Sequence, residues 1–311
     1  MRVFVTGASG WIGRGLVPDL IAAGHEVIGL ARSESTAGTL RAAGVQVRRG
    51  SIDDLDLLHD AAASSDGVVH LAFKHDIAFS GDFAGAAEAD RRAIEAVGEA
   101  LAGSGKPLVI ASGILGVLGL PPGVVATERD GRASAIDEGK LPMSGGKGRM
   151  ASADYALALA GRNVRSSVVR LPPATHGKGD NGFMAVAIRC ASEKAAAVYV
   201  GDGSNRWPSV HRDDAARLFR LALESAPAGS VLHAVGEEGV PIRKVAEVFS
   251  ASLGVPTLSI SPAQAKEYLG FLGGFWGFDG PASAQLTRDL LGWRPAHAGL
   301  IADLEAGHYF R

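Results

Sequence analysis

The sequence predicts an α/β fold in which a doubly wound parallel sheet carries a smaller C-terminal lobe. Strand-like and helix-like segments alternate from residue 3 to residue 171, which is the pattern of a parallel sheet covered by helices. A glycine-rich turn stands between the first strand and the first helix, and the alternation loosens after Pro172-Pro173. The chain can fill a sizeable core, because 47% of its 311 residues are hydrophobic.

The first strand, turn and helix have the features of a pyrophosphate site. Val3-Phe4-Val5 is a β-branched and aromatic run that ends in Thr6, and Gly7, Gly10 and Gly13 then follow at three-residue spacing. Glycines let the backbone approach a ligand closely, while the free N–H groups and the dipole of a helix N-terminus attract negative charge. The pattern therefore predicts a dinucleotide cofactor on a Rossmann-type sheet.

The second strand, residues 25–31, ends where NAD enzymes place an acidic residue against the ribose 2′-hydroxyl. This chain has Ala31 there, followed by Arg32 and Ser33. A carboxylate would repel a 2′-phosphate, whereas an arginine with a hydroxyl group beside it can bind one. We therefore expect the cofactor to be NADP(H), bound here by Arg32 and Ser33. The alternative is that Arg32 is an ordinary surface arginine.

The next part of the chain continues the alternation and then changes character. Residues 113–148 are rich in glycine, proline and charge, and they follow the carboxyl end of the fifth strand, where open sheets bind ligands. We interpret this segment as part of the active-site rim. The other elements predicted up to residue 171 are helices over 35–43, 54–63, 85–102 and 149–161, and strands over 45–47, 67–72, 107–112 and 164–171.

Beyond Pro172-Pro173 the pattern is less regular, and we predict a substrate lobe. The aromatic run Phe271–Phe278 fits either an apolar substrate pocket or a contact between subunits. We predict strands over 198–201 and 231–235, and helices over 212–225, 242–253 and around 287–291. The predicted domains are residues 1–172 with the returning segment 212–235 for dinucleotide binding, and residues 173–211 with 236–311 for the substrate.

Composition and charge exclude several classes of protein. The formal net charge is -2 with both signs interspersed, which gives no basic stripe for nucleic acid. Cys190 is the only cysteine, so an internal disulfide and a cysteine metal cluster are excluded, and the nine histidines show no metal-ligand spacing. The most apolar window, residues 108–126, is interrupted by Pro121-Pro122 and does not predict a membrane span. We expect a cytoplasmic protein without a signal peptide or a metal, with a homodimer as an open alternative.

Five short motifs follow one another along the chain. They are Thr6-Gly7-x-x-Gly10-x-x-Gly13, Gly50-Ser51-Ile52-Asp53, His70-Leu71-Ala72, Val210-His211-Arg212-Asp213-Asp214-Ala215 and Leu291-Gly292-Trp293-Arg294-Pro295. In kind and order they resemble the landmarks of the extended short-chain dehydrogenases/reductases, the NAD-dependent epimerase/dehydratase superfamily. The resemblance covers nearly the whole chain, and it is specific for the superfamily but not for one reaction.

The resemblance implies which residues contact the cofactor. The family usually has an aspartate where this chain has Ser51, which weakens the expected adenine contact. The resemblance implies that Gly7, Gly10, Trp11 and Ile12 cradle the pyrophosphate, that Ser51 and Ile52 lie at the adenine, and that Leu71 and Ala72 lie under the ribose. We count Gly13 and Pro172 among the cofactor-binding residues as well.

The chain departs from the family at the catalytic pair. Members of the family carry Tyr-x-x-x-Lys at the start of the helix that follows the rim, where the lysine lowers the pKa of the tyrosine that exchanges a proton with the substrate. Here Ser144–Asp154 contains no tyrosine, and Tyr155 is followed four residues later by Leu159. Gly146 and Met150 stand at the corresponding positions. The sequence is therefore identified as an atypical member without the usual proton donor.

Three other side chains are candidates for the catalytic role. Ser112 ends the fifth strand and can hydrogen-bond a carbonyl oxygen, although it is equally well a strand-end hydroxyl. His75 follows the fourth strand, where a loop imidazole titrates near neutrality and can donate a proton, and Asp76 can raise its pKa; the alternative is a solvated, charged loop. Lys147 can polarise a substrate oxygen or be a flexible surface lysine. His70 lies within a strand and is interpreted as structural.

These observations favour an NADP-dependent oxidoreductase that reduces a carbonyl or a conjugated double bond of a small, fairly apolar substrate. Two alternatives stay open. An epimerase or dehydratase of nucleotide sugars is disfavoured by the missing tyrosine base and by the lack of an evident arginine cluster for a diphosphate. A non-catalytic NADP-binding redox sensor is favoured by the loss of the Tyr/Lys pair and opposed by the retained motifs of the substrate lobe.

Overall fold

The structure is a computed structural model that describes residues 1–114, 120, 123–131 and 146–310. Strand and helix alternate through the first part of the chain. Its elements are β1 (Arg2–Thr6), α1 (Gly13–Ala22), β2 (Glu26–Ala31), α2 (Glu34–Ala42), β3 (Gln46–Arg49), α3 (Leu55–Ala63), β4 (Gly67–His70), α4 (His75–Phe79), α5 (Phe83–Leu101) and β5 (Pro107–Gly113).

The second part of the chain completes this sheet and builds a further lobe. Short 3₁₀ helices lie at Leu159–Arg162 and Gly270–Leu272. The elements are α6 (Gly146–Ala158), β6 (Arg165–Leu171), β7 (Ala174–His176), α7 (Phe183–Glu193), β8 (Ala197–Val200), β9 (Arg206–His211), α8 (Arg212–Ser225), β10 (Ser230–His233), β11 (Glu237–Pro241), α9 (Ile242–Leu253), β12 (Thr257–Ile260), α10 (Pro262–Leu269), α11 (Gly273–Trp276), α12 (Gln285–Leu291) and α13 (Leu300–Glu305).

The central sheet has seven parallel strands in the order β10-β6-β5-β4-β1-β2-β3. The chain winds outward from β1 through β2 to β3, then returns to the other side of β1 with β4. The order therefore reverses between β1 and β4, and the carboxyl ends of the strands at such a switch point form the usual ligand crevice. This arrangement confirms the predicted doubly wound parallel sheet.

Two hydrophobic layers cover the two faces of the sheet. Helices α1 and α8 pack together on one face, where Leu16, Leu20 and Phe219 are fully buried. Helices α3, α5 and α6 cover the other face, with Leu58 and Ile94 buried between them and the strands. Burying one such side chain contributes about 1.5–3 kcal/mol, so these layers fix the strands that carry the site.

The further lobe has a separate core. Strand β9 pairs antiparallel with β11 and parallel with β7, while β8 and β12 form a parallel pair. Around them, Trp207, Phe275 and Trp276 are almost completely buried. The Trp207 indole donates to the Phe278 carbonyl oxygen at 3.2 Å, and the Trp276 indole donates to that of Val198 at 2.9 Å. The core is therefore both apolar and hydrogen-bonded at its polar edges.

Several elements differ from the sequence prediction. Strand β4 ends at His70, two residues early, and α6 begins at Gly146, three residues early. Helix α4 stands where a loop was predicted, because five residues are too few for a periodic signal. Of the predicted rim, residues 115–119, 121–122 and 132–145 lie outside the described residues. Within the described part of the chain, no helix has the length and apolar character needed to cross a membrane.

Candidate functional site

The glycine turn lies at the switch point between β1 and β4. The Gly10 N–H donates to the Gly7 carbonyl oxygen at 2.9 Å, and Gly7 has a φ of 69°, which side chains rarely allow. A Cβ on Gly7 would lie 2.8 Å from the Ala72 nitrogen. A Cβ on Gly10 would instead meet only the Gly7 backbone, at 3.0 Å, and would otherwise face space free of described residues. Gly10 is therefore the place where a ligand can approach the backbone.

The N-terminus of α1 is open to a ligand. Ile12, at the N-cap, has helical backbone angles and makes no capping side-chain hydrogen bond. The N–H groups of Arg14 and Gly15 already donate to the Gly10 and Ile12 carbonyl oxygens, whereas those of Ile12 and Gly13 make no hydrogen bond to a described residue and remain available to an anion. The Trp11 indole donates to the Thr175 carbonyl oxygen at 3.0 Å, and the Arg212 guanidinium lies 4.7 Å from its ring centre. The Trp11 side chain is thus held by the segment after β6, while its backbone stays at the turn.

Arg32 and Ser33 lie between the end of β2 and the start of α2. Ser33 is the N-cap of α2, and its Oγ accepts from the backbone N–H of the third helical residue at 3.1 Å. Arg32 is exposed, and its carbonyl oxygen accepts from Arg49 at 3.1 Å. Glu34, the first residue of α2, forms ion pairs with Arg41 and Arg49. The pKa of the Glu34 carboxyl is lowered, mainly by its hydrogen bond to Arg41. This corner therefore carries a net positive charge.

The loops after β3 and β4 are tied together at the same edge. Lys74, after β4, places its Nζ 2.7 and 2.8 Å from the carboxylate oxygens of Asp53. Ile52 is buried and Ser51 is half-buried beside this pair. The other residues expected at the cofactor lie at this edge as well: Leu71 and Ala72 directly after β4, and Pro172, which is buried, directly after β6.

A chain of buried polar groups runs behind the turn. Thr6 Oγ1 is 2.9 Å from His70 Nδ1, and His70 Nε2 is 3.2 Å from Asp90 Oδ1. Asp90 Oδ2 is in turn 3.5 Å from Nη1 of Arg149. Thr6, His70 and Asp90 are each at most 2% exposed. Both ring nitrogens of His70 are engaged, as expected of a structural histidine, and the buried carboxylate is paired as such groups must be.

Arg149, which the sequence reasoning did not select, lies at the centre of the site. It comes from the first turn of α6, and its Nη2 donates to the Ala111 carbonyl oxygen at 3.1 Å. Its Cζ is 3.7 Å from the centre of the Phe73 ring, so the guanidinium spans the ends of β4 and β5. Burial lowers its pKa, and an arginine nevertheless stays charged. Nη1 is buried and makes no hydrogen bond to a described residue.

Ser112 directly follows Ala111, whose carbonyl oxygen accepts from the Arg149 guanidinium. It is the penultimate residue of β5, next to Ala111, and it is 7% exposed. Its hydroxyl makes no hydrogen bond with any residue that the structure describes. A free hydroxyl and a cation with an unused donor thus lie at the carboxyl edge of the sheet. Such a pair can bind a carbonyl oxygen and stabilise the negative charge that develops on it.

His75 is the first residue of α4, and its electrostatics differ from the prediction. Part of the residue reaches solvent, yet desolvation by its neighbours and the charge of Arg149 lower its pKa to about 4. The opposing effect of Asp76 is smaller. The prediction that this imidazole titrates near neutrality is therefore wrong, although Asp76 does raise its pKa as expected. At pH 7 the ring is neutral, and it lies 5.0 Å from the Phe73 ring and 5.4 Å from that of Phe79.

The remaining catalytic candidates are on α6. Lys147 is exposed at its second residue. Tyr155 lies two turns beyond the start and packs against the core on the α5 side of the sheet, where burial raises its pKa. Met150 is buried. The first turn of α6 thus presents Arg149, rather than a tyrosine, to the edge of the sheet.

Three side chains come together where the junction of β9 and α8 meets the C-terminal segment. Possible metal-binding atoms of His211, Asp213 and His297 lie within 4.8 Å of one another. His211 Nδ1 accepts from the Asp213 backbone N–H at 3.2 Å, and His297 Nδ1 is 3.1 Å from an oxygen of Asp214. The two rings stack in parallel with centroids 4.5 Å apart, so their nitrogen lone pairs do not converge. The group packs the C-terminal segment and gives no basis for a metal site.

Known proteins share this architecture. Residues 3–112 match the model of the NAD dependent epimerase/dehydratase family. An uncharacterized protein of Schizosaccharomyces pombe is 44% identical over 310 residues, which cover all of both chains. A ketoreductase of Stigmatella aurantiaca that acts on a farnesylated dihydroquinoline oxide is 26% identical over 292 residues, covering 87% of this chain and 80% of its own.

Among solved structures, a double mutant of the dTDP-glucose 4,6-dehydratase DesIV of Streptomyces venezuelae has NAD bound. It superposes with a TM-score of 0.78 at 19% identity, over 99% of this chain and 96% of that one. At this identity the likeness shows the fold alone. The family match, the order of the strands and the geometry of the glycine turn agree with one another. Residues 3–112 of the chain therefore form a domain of the NAD dependent epimerase/dehydratase family.

Proposed function

We propose that this protein is an NADPH-dependent reductase of a carbonyl group, or of a conjugated double bond, on a small and fairly apolar substrate. The observation that carries the proposal is the Ser112–Arg149 corner at the carboxyl edge of the sheet. Arg149 donates to the Ala111 carbonyl oxygen, and Ser112 is the next residue of β5. This corner joins a free hydroxyl and a fixed cation beside the cofactor turn. That combination suits a reaction in which negative charge develops on a substrate oxygen.

The residues of the turn fit a dinucleotide. The open side of Gly10 and the uncapped N-terminus of α1 match a pyrophosphate in shape and in charge. Gly7, Gly10, Trp11, Ile12 and Gly13 would hold it, Ser51 and Ile52 would lie at the adenine, and Leu71, Ala72 and Pro172 would line the ribose and nicotinamide side. When bound, NADPH supplies a hydride and leaves as NADP⁺.

The preference for NADPH follows from the charges at the end of β2. Arg32 and the N-terminus of α2, where Ser33 is the cap, offer positive charge and donors to a 2′-phosphate. An NAD enzyme needs a free carboxylate here to accept from the 2′-hydroxyl. The acidic residue at this position is Glu34, and its carboxylate already forms ion pairs with Arg41 and Arg49.

In the chemical step, Arg149 and Ser112 act on the substrate oxygen. Arg149 donates to that oxygen and stabilises the developing alkoxide; its pKa keeps it from giving up a proton. Ser112 donates its hydroxyl hydrogen to the oxygen and recovers a proton from water, so one proton enters the product for each hydride. The ion pair with Asp90 holds the Arg149 guanidinium in position. His75, which is neutral, and the exposed Lys147 are then secondary candidates for moving that proton.

Distant relatives favour a reductase over the two alternatives. The Stigmatella aurantiaca relative is named as a ketoreductase and takes an apolar, prenylated substrate. A nucleotide-sugar epimerase or dehydratase has to remove a proton or a hydride from its substrate, and Arg149 is not a base. A redox sensor would need no donors at the substrate position, whereas the Ser112–Arg149 corner provides two.

The test of the catalytic proposal is NADPH consumption with a panel of ketones, aldehydes and enones. We expect Ser112→Ala and Arg149→Lys each to lower kcat about a hundredfold to a thousandfold, with NADPH affinity nearly unchanged. Lysine keeps the charge next to Asp90 but loses the planar pair of donors. Tyr155→Phe is the matched control, and we expect full activity. If the wild-type protein consumes no NADPH with any of these compounds, the proposal is wrong.

The test of cofactor choice is a titration with NADPH and NADH. Loss of charge-assisted hydrogen bonds to the 2′-phosphate costs about 1.5–3 kcal/mol, so Arg32→Ala should weaken NADPH roughly tenfold to a hundredfold and leave NADH unchanged. Arg243→Ala removes an exposed arginine that pairs with Glu247 on α9, and it serves as the control. Equal affinities of the wild type for the two cofactors would contradict the preference.

A further inference from the structure

Six aromatic side chains form a continuous set of ring contacts that joins the two lobes beside the site. The ring centres of Phe73 and His75 are 5.0 Å apart, and those of His75 and Phe79 are 5.4 Å apart. Phe79 then reaches across to the second lobe, 4.7 Å from Phe271 and 6.1 Å from Phe183. Phe183 stacks on Phe275 at 6.0 Å. We call this set the aromatic row: Phe73, His75, Phe79, Phe183, Phe271 and Phe275.

The two rings that meet between the lobes are unusually exposed. Phe79 and Phe271 are 44% and 38% accessible, and they are the exposed phenylalanines of the described chain. Phe275, in the same row, is 1% accessible and belongs to the core of the second lobe. Contact between Phe79 and Phe271 leaves an outer surface on each ring uncovered. Two neighbouring aromatic faces open to solvent are a surface that an apolar ligand can cover.

Among the described residues, the one cation that stacks on a ring of the aromatic row lies at its inner end. The Arg149 guanidinium lies on the Phe73 ring, 3.7 Å from its centre. His75 is neutral at pH 7 because desolvation and Arg149 lower its pKa to about 4. Among the described residues, no cation stacks on Phe79 or Phe271. A ligand that fits this distribution is neutral and planar over most of its length and carries an oxygen at one end.

We propose that Phe79 and Phe271 bind an aromatic ring of the substrate, so that the substrate class is aryl ketones, aryl aldehydes or ring-conjugated enones. The proposal rests on the reductase function proposed above. The aromatic body packs on the two exposed rings, and the carbonyl oxygen points toward Arg149 and Ser112. Stacking and edge-to-face contacts with aromatic rings add to simple apolar burial, so this surface distinguishes an aromatic body from a saturated one of similar size.

The experiment compares binding of 2-acetylnaphthalene and 2-acetyldecalin to the complex with NADP⁺, in which no hydride is available. We expect the wild type to bind the aromatic ketone roughly threefold to tenfold more tightly than the saturated one, measured by calorimetry. Phe79→Leu and Phe271→Leu keep an apolar side chain at surface positions and should abolish that preference. Phe79→Tyr should retain it. Leu290→Ala, at another exposed apolar residue, is the control.

Each outcome bears on a distinct claim. Equal binding of the two ketones by the wild type, binding of neither, or a preference that survives both leucine variants would overturn the stacking site. Ring-dependent binding without NADPH consumption would leave the stacking site standing and reject the reductase. Reduction of ketones with no preference for the aromatic one would support the reductase and reject the stacking site.

Discussion

Arg149 and Asp90 form an ion pair whose members support each other in a poorly hydrated place. Asp90 is 3% exposed in its side chain and Arg149 is 17% exposed. Neither charge would be stable there alone, since an isolated buried ion costs several kcal/mol. The Asp90 carboxylate also contacts His70, whose Nε2 lies 3.2 Å from Asp90 Oδ1. The pair therefore fixes the guanidinium in place at the end of β5, which the proposed contact with a substrate oxygen requires.

The glycines and Arg149 differ in how far the sequence could predict them. Gly7, Gly10 and Gly13 stand in a local pattern whose geometry depends on a few neighbouring residues, so their spacing was sufficient. Arg149 acquires its role from Asp90 and Ala111, which are 59 and 38 positions away in the chain. The available signal was a pair of cations, Lys147 and Arg149, in the first turn of a helix otherwise rich in small residues, and only Lys147 was selected. A search for Tyr-x-x-x-Lys passes over Arg149.

His233 makes the stability of the fold depend on pH. It is fully buried, its Nδ1 donates to the Ser283 carbonyl oxygen at 2.8 Å, and burial lowers its pKa to about 4. The unfolded chain takes up the proton near pH 6.5, so the neutral imidazole contributes stability that is present above pH 6.5. That contribution is lost as the pH falls toward 4.

We expect the free energy of unfolding to fall on the order of 2–3 kcal/mol through this residue between pH 7 and pH 4. The measurement is urea unfolding at several pH values. His233→Gln keeps a donor for Ser283 but cannot titrate, so its unfolding free energy should vary less with pH. His59→Gln, at an exposed histidine of α3, should follow the wild type. Parallel curves for wild type and His233→Gln would contradict the assignment.

At the scale of the strand–turn–helix element, the three glycines have different tasks. A Cβ on Gly13 would lie 2.3 Å from the Gly7 oxygen and 2.4 Å from that of Ala8, both rigid backbone atoms. A Cβ on Gly10 would be 3.0 Å from the Gly7 oxygen and otherwise unhindered by described residues. Gly13 is therefore required by the packing of α1 on the turn, and we propose that Gly10 is required by the approach of the cofactor.

Two substitutions separate these tasks. Gly10→Val should abolish NADPH binding while changing the unfolding free energy by less than about 1 kcal/mol, because the new side chain fills the ligand's space. Gly13→Ala should lower the unfolding free energy by about 1–3 kcal/mol, because backbone atoms must move. Fluorescence titration with NADPH and urea unfolding measure the two effects. Normal NADPH binding by Gly10→Val would show that the opening motif has been misread.

At the scale of the whole molecule, the first lobe was more predictable than the second. The parallel strands β1, β2, β4, β5 and β6 are short apolar runs between periodic helices, so the sequence marks them clearly. In the second lobe, β7 has three residues and β9 contains Pro208, and their pairing depends on segments distant in the chain. Such pairing has no local signature, and those strands were missed.

The C-terminal segment links the two lobes through one buried carboxylate. Asp214, on α8, is 1% exposed, and its two oxygens accept from the backbone N–H groups of Ala296 and His297, each at 2.9 Å. Helix α8 packs on α1, while the segment after His297 continues into α13, which packs on β7, β9 and α9. Asp214 therefore connects the sheet with the helix that closes the second lobe.

Removing this carboxylate should destabilise the whole molecule. Asp214→Ala removes two hydrogen bonds that backbone N–H groups make to a buried, charged carboxylate, at about 1.5–3 kcal/mol each, so we expect the unfolding free energy to fall by about 3–5 kcal/mol. Asp213→Ala, at the next residue, removes a partly exposed partner of Arg212 and should cost less than about 1 kcal/mol. Urea unfolding gives both values, and hydrogen exchange should show lost protection over 294–305 in Asp214→Ala alone. Equal effects of the two variants would mean that the segment is held by the apolar contacts of α13 instead.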